Sequence, residues 1–204
     1  MVTDWATSHG LDLHLELDQP VGALQGIDPE RVVYAGTASK SLAPALRLGW
    51  LVVPPALLDP VVAAKELADR HTGVLDQLAL AELIAGRGLD RHIRRSRLRY
   101  RRRRDALLGA LATVPAVRVR GIAAGLHALV ELPEAGPDEH EVVAALARQR
   151  VGVQGLGPYW HRPEGHRPGL VVGFGTPAEH AFPAALAALT SALGTIYRGA
   201  LRGS

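Results

Sequence analysis

Residues 36–50 read Gly36-Thr37-Ala38-Ser39-Lys40-Ser41-Leu42-Ala43-Pro44-Ala45-Leu46-Arg47-Leu48-Gly49-Trp50. The apolar run before them, Val32-Val33-Tyr34-Ala35, reads as a buried strand. A second run, Leu51-Val52-Val53, follows and is closed by Pro54-Pro55. One lysine and one arginine are therefore expected on a connection between two strands. The chain holds two lysines against 21 arginines, so a positive charge alone would not have called for lysine here. An amine, unlike a guanidinium, loses its proton near neutral pH when desolvated and then attacks a carbonyl to form a Schiff base. Rarity does not decide the matter, because Lys65, the other lysine, lies in an ordinary amphipathic segment.

Composition narrows the remaining classes. At 204 residues, 48% hydrophobic and 21% charged, the chain has the make-up of one large or two small globular domains. It has no cysteine, which excludes disulfides and thiolate metal sites and suits a cytoplasmic location. No uncharged apolar run approaches the roughly 18 residues of a membrane span. Asp4, His9, Asp12, His14 and Glu16 break up the N-terminal stretch, so it does not read as a secretory signal. The histidines are scattered without paired ligand spacing, and no metal site is expected. Neither a His-Glu-x-x-His, a Walker loop nor a Gly-x-Ser-x-Gly motif is present. Thr37 and Lys40 imitate the Ser-x-x-Lys spacing of certain hydrolases, but threonine replaces serine and the companion motifs are missing.

Working outward, 11–17 alternates leucine with polar residues, as a half-buried strand would, and 22–30 reads as a turn-rich connection. Helices are predicted over 56–70, 75–85 and 89–114. In the last, Leu89, Ile93, Tyr100, Leu107 and Leu111 form the apolar stripe, arginines cover the remaining surface, and Pro115 ends the helix. Nearly half of the arginines fall between Arg87 and Arg104. They read as a solvated helix face in preference to a nucleic-acid surface, because no aromatic or glycine-rich stacking features accompany them. Downstream, strands over 117–119, 127–132, 151–154 and 170–174 alternate with helices over 138–149 and 179–193, which is an α/β pattern. Beyond Gly194 the tail is expected to fray.

The signature Thr37-Ala38-Ser39-Lys40, followed seven residues later by Arg47-Leu48-Gly49-Trp50, resembles the cofactor-lysine motif of fold-type I pyridoxal phosphate enzymes. The wording is nearest to the aminotransferase-like domain of MocR-type regulators, a branch of the GntR transcription factors, and to aminoadipate-type aminotransferases. Similar phrasing recurs in Ala124-Gly125-Leu126-His127-Ala128-Leu129-Val130, Gly155-Leu156-Gly157-Pro158-Tyr159 and Pro168-Gly169-Leu170-Val171-Val172-Gly173-Phe174-Gly175, so the likeness runs from about residue 21 to 193. It implies an α/β fold, the C-terminal part of a fold-type I transferase. Residues 1–104 would form a partial large domain including the basic helix, and residues 105–204 a small α/β domain.

The resemblance also implies roles. Lys40 would carry pyridoxal 5'-phosphate as the internal aldimine, Arg47 would bind its phosphate, and Thr37 and Ser39 would help. Tyr159 and His127 would face an amino-acid or amine substrate. An amino donor would displace Lys40, the freed amine would remove the Cα proton, and hydrolysis would complete amino-group transfer to a 2-oxo acid. A homodimer is implied, and DNA would be reached only through a winged-helix domain that has no counterpart here.

Three departures qualify this. Aligned back from Pro20, the family's ring-pairing aspartate and its tyrosine fall on Ser8 and Gly10; an insertion of about four residues would put Asp4 in the aspartate's place. The arginine that binds a substrate carboxylate is replaced by Val171, with Arg167 the nearest substitute. The glycine-rich phosphate loop and several sheet strands have no counterpart, so the chain reads as a C-terminal half, with the edges of a partial parallel sheet exposed. The alternatives to an enzyme are thus a non-catalytic sensing module of a MocR-type regulator and an inactive truncated fragment of one.

Overall fold

The computed structural model describes residues 23–39, 41–120, 125–162 and 165–200. Lys40, Asp4 and the strand predicted over 11–17 lie outside them. The chain divides into two compact units, Met1–Arg97 and Leu98–Ser204, with the division inside one long helix.

In the first unit a short helix, α1 (Leu24–Ile27), occupies part of the predicted turn-rich connection. Strand β1 (Tyr34–Thr37) then pairs with β2 (Gly49–Val52) in an antiparallel ribbon, with Tyr34 opposite Val52 and Thr37 opposite Gly49. The first strand starts two residues later than predicted, and it is not buried. Its residues alternate between half-buried and exposed, because successive side chains of a strand point to opposite faces. Gly36 is required in this ribbon: a β-carbon there would occupy the space of the Trp50 indole, its cross-strand partner.

Helix α2 (Pro55–Ala68) begins with proline at its first position, where the missing N–H costs nothing. Helix α3 (Val74–Ala85) follows and stops at Gly86. Neither α2 nor α3 buries a residue, and Leu67 and Leu75 are 91% and 83% exposed. The apolar side chains that this unit does bury, among its described residues, are Ala38, Leu48, Pro54, Leu89 and Ile93.

Helix α4 (Gly88–Leu111) confirms the predicted stripe and completes it with two residues the pattern did not include. Ser96 and Arg103 are buried alongside Leu89, Ile93, Leu107 and Leu111. The reading of the arginines as a uniformly solvated face is therefore corrected at Arg103. Its Nη1 donates to the carbonyls of Phe174 (3.2 Å) and Gly175 (3.0 Å), and its Nη2 pairs with Glu179 at 2.9 Å. The guanidinium also lies 4.9 Å from the centre of the Phe182 ring. The helix ends before Pro115, through turns in which Thr113 donates to Ala110 O and Val114 to Leu111 O.

The second unit contains β3 (Arg118–Arg120), β4 (His127–Glu131), α5 (Glu139–Arg148), β5 (Gln154–Gly155), β6 (Gly169–Gly173) and α6 (Phe182–Ala200). The strands form one antiparallel sheet in the order β3-β4-β6-β5. Ala128 and Val130 of β4 face the core with their partners Val172 and Leu170 of β6. Val142 and Leu146 of α5 and Leu189, Ala192 and Leu193 of α6 are buried with them. Asp138 starts α5 with a capping box: its Oδ1 accepts from Glu141 N at 2.8 Å, and its own N–H donates to Glu141 Oε2 at 3.1 Å.

Past Gly194 the described residues stay helical, and α6 runs on to Ala200. Tyr197, one turn beyond that glycine, is 4% exposed. Burial pushes its phenol up to about 12, and the hydroxyl has no hydrogen-bond partner among the described residues.

Candidate functional site

The connection between β1 and β2 is closed at its base by the backbone of Leu48. That carbonyl accepts from Ala38 N at 2.9 Å and from Thr37 Oγ1 at 3.1 Å. Ser39 N donates to Thr37 Oγ1 at 3.1 Å, and the two hydroxyl oxygens are also 3.1 Å apart. A carbonyl has no proton to give, so the single Thr37 proton is assigned to Leu48 O and Thr37 Oγ1 is left to accept. The 3.1 Å contact between the two hydroxyls is then donated by Ser39, whose proton can turn to another acceptor instead. Thr37 thus organises the turn, and Ser39 keeps a donor available.

Closing the loop at Leu48 also returns Arg47 to the end where Thr37 and Ser39 sit, although ten residues separate Thr37 from Arg47 in sequence. Arg47 follows a 3-10 turn, Pro44–Leu46, and takes a left-handed φ of 49°. Arg70, Arg87 and Arg150 take the same conformation just past the ends of helices, where a cation suits the helix C-terminus. The Arg47 side chain is exposed and makes no ion pair or hydrogen bond among the described residues. The Ser39 hydroxyl and an unpaired guanidinium are a donor set that suits a phosphate monoester. Within the same connection, Leu42 N donates to Ala38 O at 2.8 Å and closes the turn whose sequence includes Lys40.

The remaining predicted residues belong to the second unit. His127 sits opposite Gly173, and Leu129 and Gln154 both sit opposite Val171. Opposed residues project to one side of a sheet, so His127, Leu129, Val171 and Gln154 share the face opposite the core. Tyr159 joins them by donating its hydroxyl to Gln154 Oε1 at 2.6 Å. Arg167 pairs with Glu134 at 3.1 Å and lies 4.0 Å from Glu131, which itself accepts from Arg120 at 3.0 Å.

Sequence reasoning did not single out Gln154 or Glu139. Glu139 holds the loop that carries Tyr159: its Oε1 accepts from Gly157 N at 2.8 Å and its Oε2 from Gly169 N at 2.9 Å. A β-carbon on Gly155 would fall on that carboxylate, which explains the glycine. Only the Gly155-x-Gly157 spacing hinted at such close packing. No group of three or more potential metal-ligating side chains occurs among the described residues, and no described helix is long and apolar enough to cross a membrane.

No protein-family model matches the chain. It is 39% identical over 129 residues to YhdI, an uncharacterised HTH-type transcriptional regulator of Bacillus subtilis, a match covering 62% of this chain and 28% of that protein. It is 32% identical over 147 residues to aromatic-amino-acid aminotransferase 1 of Thermococcus litoralis, covering 71% of this chain and 35% of the enzyme. Among solved structures, LysN, the alpha-aminoadipate aminotransferase of Thermus thermophilus complexed with N-(5'-phosphopyridoxyl)-L-leucine, superposes with a TM-score of 0.77 at 26% identity, covering 97% of this chain and 54% of that one. The chain thus spans about a third of the curated relatives it matches and about half of the solved chain. Its α/β fold is accordingly that of a partial fold-type I pyridoxal-phosphate-dependent transferase, and it is homologous both to MocR-type regulators and to aminotransferases.

Proposed function

We propose that this chain is a pyridoxal-phosphate-binding, aminotransferase-like module in which Lys40 holds the cofactor covalently and Ser39 and Arg47 hold its phosphate. The observation that carries the reading is the closure of the β1–β2 connection at Leu48 O, which gathers Thr37, Ser39 and an unpaired Arg47 at one end of the loop. Thr37 contributes by fixing Ser39 through the Ser39 N–H to Thr37 Oγ1 bond. When bound, the cofactor supplies an electron-withdrawing ring that acidifies the Cα–H of an attached amino acid. The chain's own part is then to move that proton on Lys40 Nζ. Asp4 is the proposed partner of the ring nitrogen, and Tyr159 and His127 the proposed substrate-side residues. The proposed partners are an amino acid or amine and a second copy of the chain, in the cytoplasm.

Titration with pyridoxal phosphate tests the phosphate site. Arg47→Gln weakens binding by about tenfold or more, since a charge-assisted bidentate contact is lost. Pyridoxal lacking the phosphate binds the parent and Arg47→Gln alike. Equal affinity of the parent and Arg47→Gln for the phosphorylated form would refute the assignment.

A second reading, a sensing module that binds the cofactor without net turnover, is favoured by one observation. Val171 stands where an arginine would clamp a substrate carboxylate, and Arg167 is already paired with Glu134. Incubation with an amino donor and a 2-oxo acid separates the two: amino-group transfer that disappears in Lys40→Ala supports the enzyme, and cofactor binding without transfer supports the sensor.

A further inference from the structure

Among the described residues, three polar or charged ones are buried: Ser41, Ser96 and Arg103. Two of the three flank a single contact. His92 of α4 places its Nε2 2.7 Å from the backbone carbonyl of Ser41, the residue that follows Lys40, and Ser96 Oγ lies 3.4 Å from the same nitrogen. A carbonyl only accepts, so His92 Nε2 carries the proton and donates it. With that nitrogen protonated, Ser96 cannot donate to it and is at most a weak second acceptor. Ser41 Oγ turns back toward Ala38 O at 3.4 Å, the carbonyl that also receives Leu42 N.

The surroundings sharpen this. Four of the unit's buried apolar side chains, Ala38, Leu48, Leu89 and Ile93, come from the connection itself and from the first turns of α4. Ser96 occupies the next position of the same stripe, where the helix pattern calls for an apolar residue. A small hydroxyl there preserves a polar neighbour for the imidazole. The contact spans 51 residues, so it fixes a backbone carbonyl in the loop from an independent element.

We infer that His92 is a positioning residue for Lys40: by holding the Ser41 carbonyl it fixes the Ser41–Leu42 peptide, one residue beyond the lysine, and sets how readily the amine meets a carbonyl carbon. This rests on the reading of Lys40 given above. The loop's own bonds, from Leu42 N, Ala38 N and Thr37 Oγ1, close it locally, whereas His92 anchors it to the long helix.

The test compares the full chain with His92→Leu, which keeps bulk and loses the donor, and His92→Gln, whose amide nitrogen reaches a similar place. Pyridoxal phosphate is added, the product is fixed with borohydride, and adduct on Lys40 is followed by peptide mass over time. Amide exchange at Leu42 and the His92 ring tautomer by nitrogen NMR are read without cofactor. Expected are about tenfold slower attachment and faster Leu42 exchange in His92→Leu, recovery to within about threefold in His92→Gln, and an Nε2–H tautomer in the parent. Attachment by His92→Leu at the parent rate, or an Nδ1–H tautomer, overturns the inference. If the parent forms no Lys40 adduct, the cofactor reading fails, and the tautomer and Leu42 exchange still decide the His92 contact. Should His92→Leu not fold, the ring tautomer of the parent decides: Nε2–H supports the contact and Nδ1–H overturns it.

Discussion

The two units bury their apolar side chains in very different ways. From Leu98 onward the chain owns its core: Leu107, Leu111, Val130, Val142, Leu146, Leu170 and Leu193 are fully buried, drawn from the sheet and three helices. Up to Arg97, the described residues bury five apolar side chains, while α2 and α3 bury none. The phosphate-type donor set, however, lies in that first unit. Stability and the candidate chemistry thus reside in different places, and the loop between β1 and β2 depends on discrete hydrogen bonds more than on packing. Segments held in this way open at lower free energy than a packed core.

Substitutions can break or sharpen this comparison, and the largest effect belongs to the packed unit. Leu170→Ala removes a side chain at 0% exposure and should cost about 4 kcal/mol in urea unfolding, whereas Leu67→Ala, at 91% exposure, should cost less than about 0.5 kcal/mol. Comparable losses would show that the first unit is packed after all. Arg103→Met strands two carbonyls and Glu179 and should cost roughly 3 kcal/mol, read from the same denaturation curves. Glu139→Gln keeps the shape but replaces one of two accepting oxygens with an NH2, so one backbone N–H loses its acceptor and the other bond loses its charge. A loss of about 1 kcal/mol is expected, with faster amide exchange at Gly157.

Tyr197→Phe is the smallest change near neutral pH, since the hydroxyl it removes has no partner; stability should hold or rise by up to about 1 kcal/mol. Alkaline pH separates the two chains. The folded phenol ionises near 12 against an ordinary 10.0, so the folded state keeps its proton longer than the unfolded one. That contribution is intact below pH 10 and is lost as pH rises through about 12. The parent's urea midpoint should therefore fall relative to Tyr197→Phe over that range, and parallel curves would contradict the burial assigned to this residue.

Much of the fold was legible because its helices carry strong stripes. The helix at 89–114 was readable from Leu89, Ile93, Tyr100, Leu107 and Leu111, yet the pattern passed over Ser96 and Arg103, which fill stripe positions with polar groups. An arginine is buried there because three acceptors meet it, and those acceptors lie 71 to 76 residues away in sequence. Gly194 read as a stop, but the residues after it include Tyr197, whose burial holds the helix on course to Ala200. The strand–loop–strand frame around Lys40 and Arg47 was evident from apolar runs and punctuation. The contacts that organise it were not, because Leu48 O and Ser41 O act through partners that no local pattern specifies; the same holds in the second unit for the carboxylate of Glu139 and the Tyr159 loop.

The most direct measurement is the location of the covalent adduct when the chain is mixed with pyridoxal phosphate, fixed with borohydride and mapped by peptide mass. The account predicts label on Lys40, none above background on Lys65, and loss of the label in Lys40→Ala. Label shared between Lys65 and the N-terminal amine, or unchanged total label in Lys40→Ala, would contradict it.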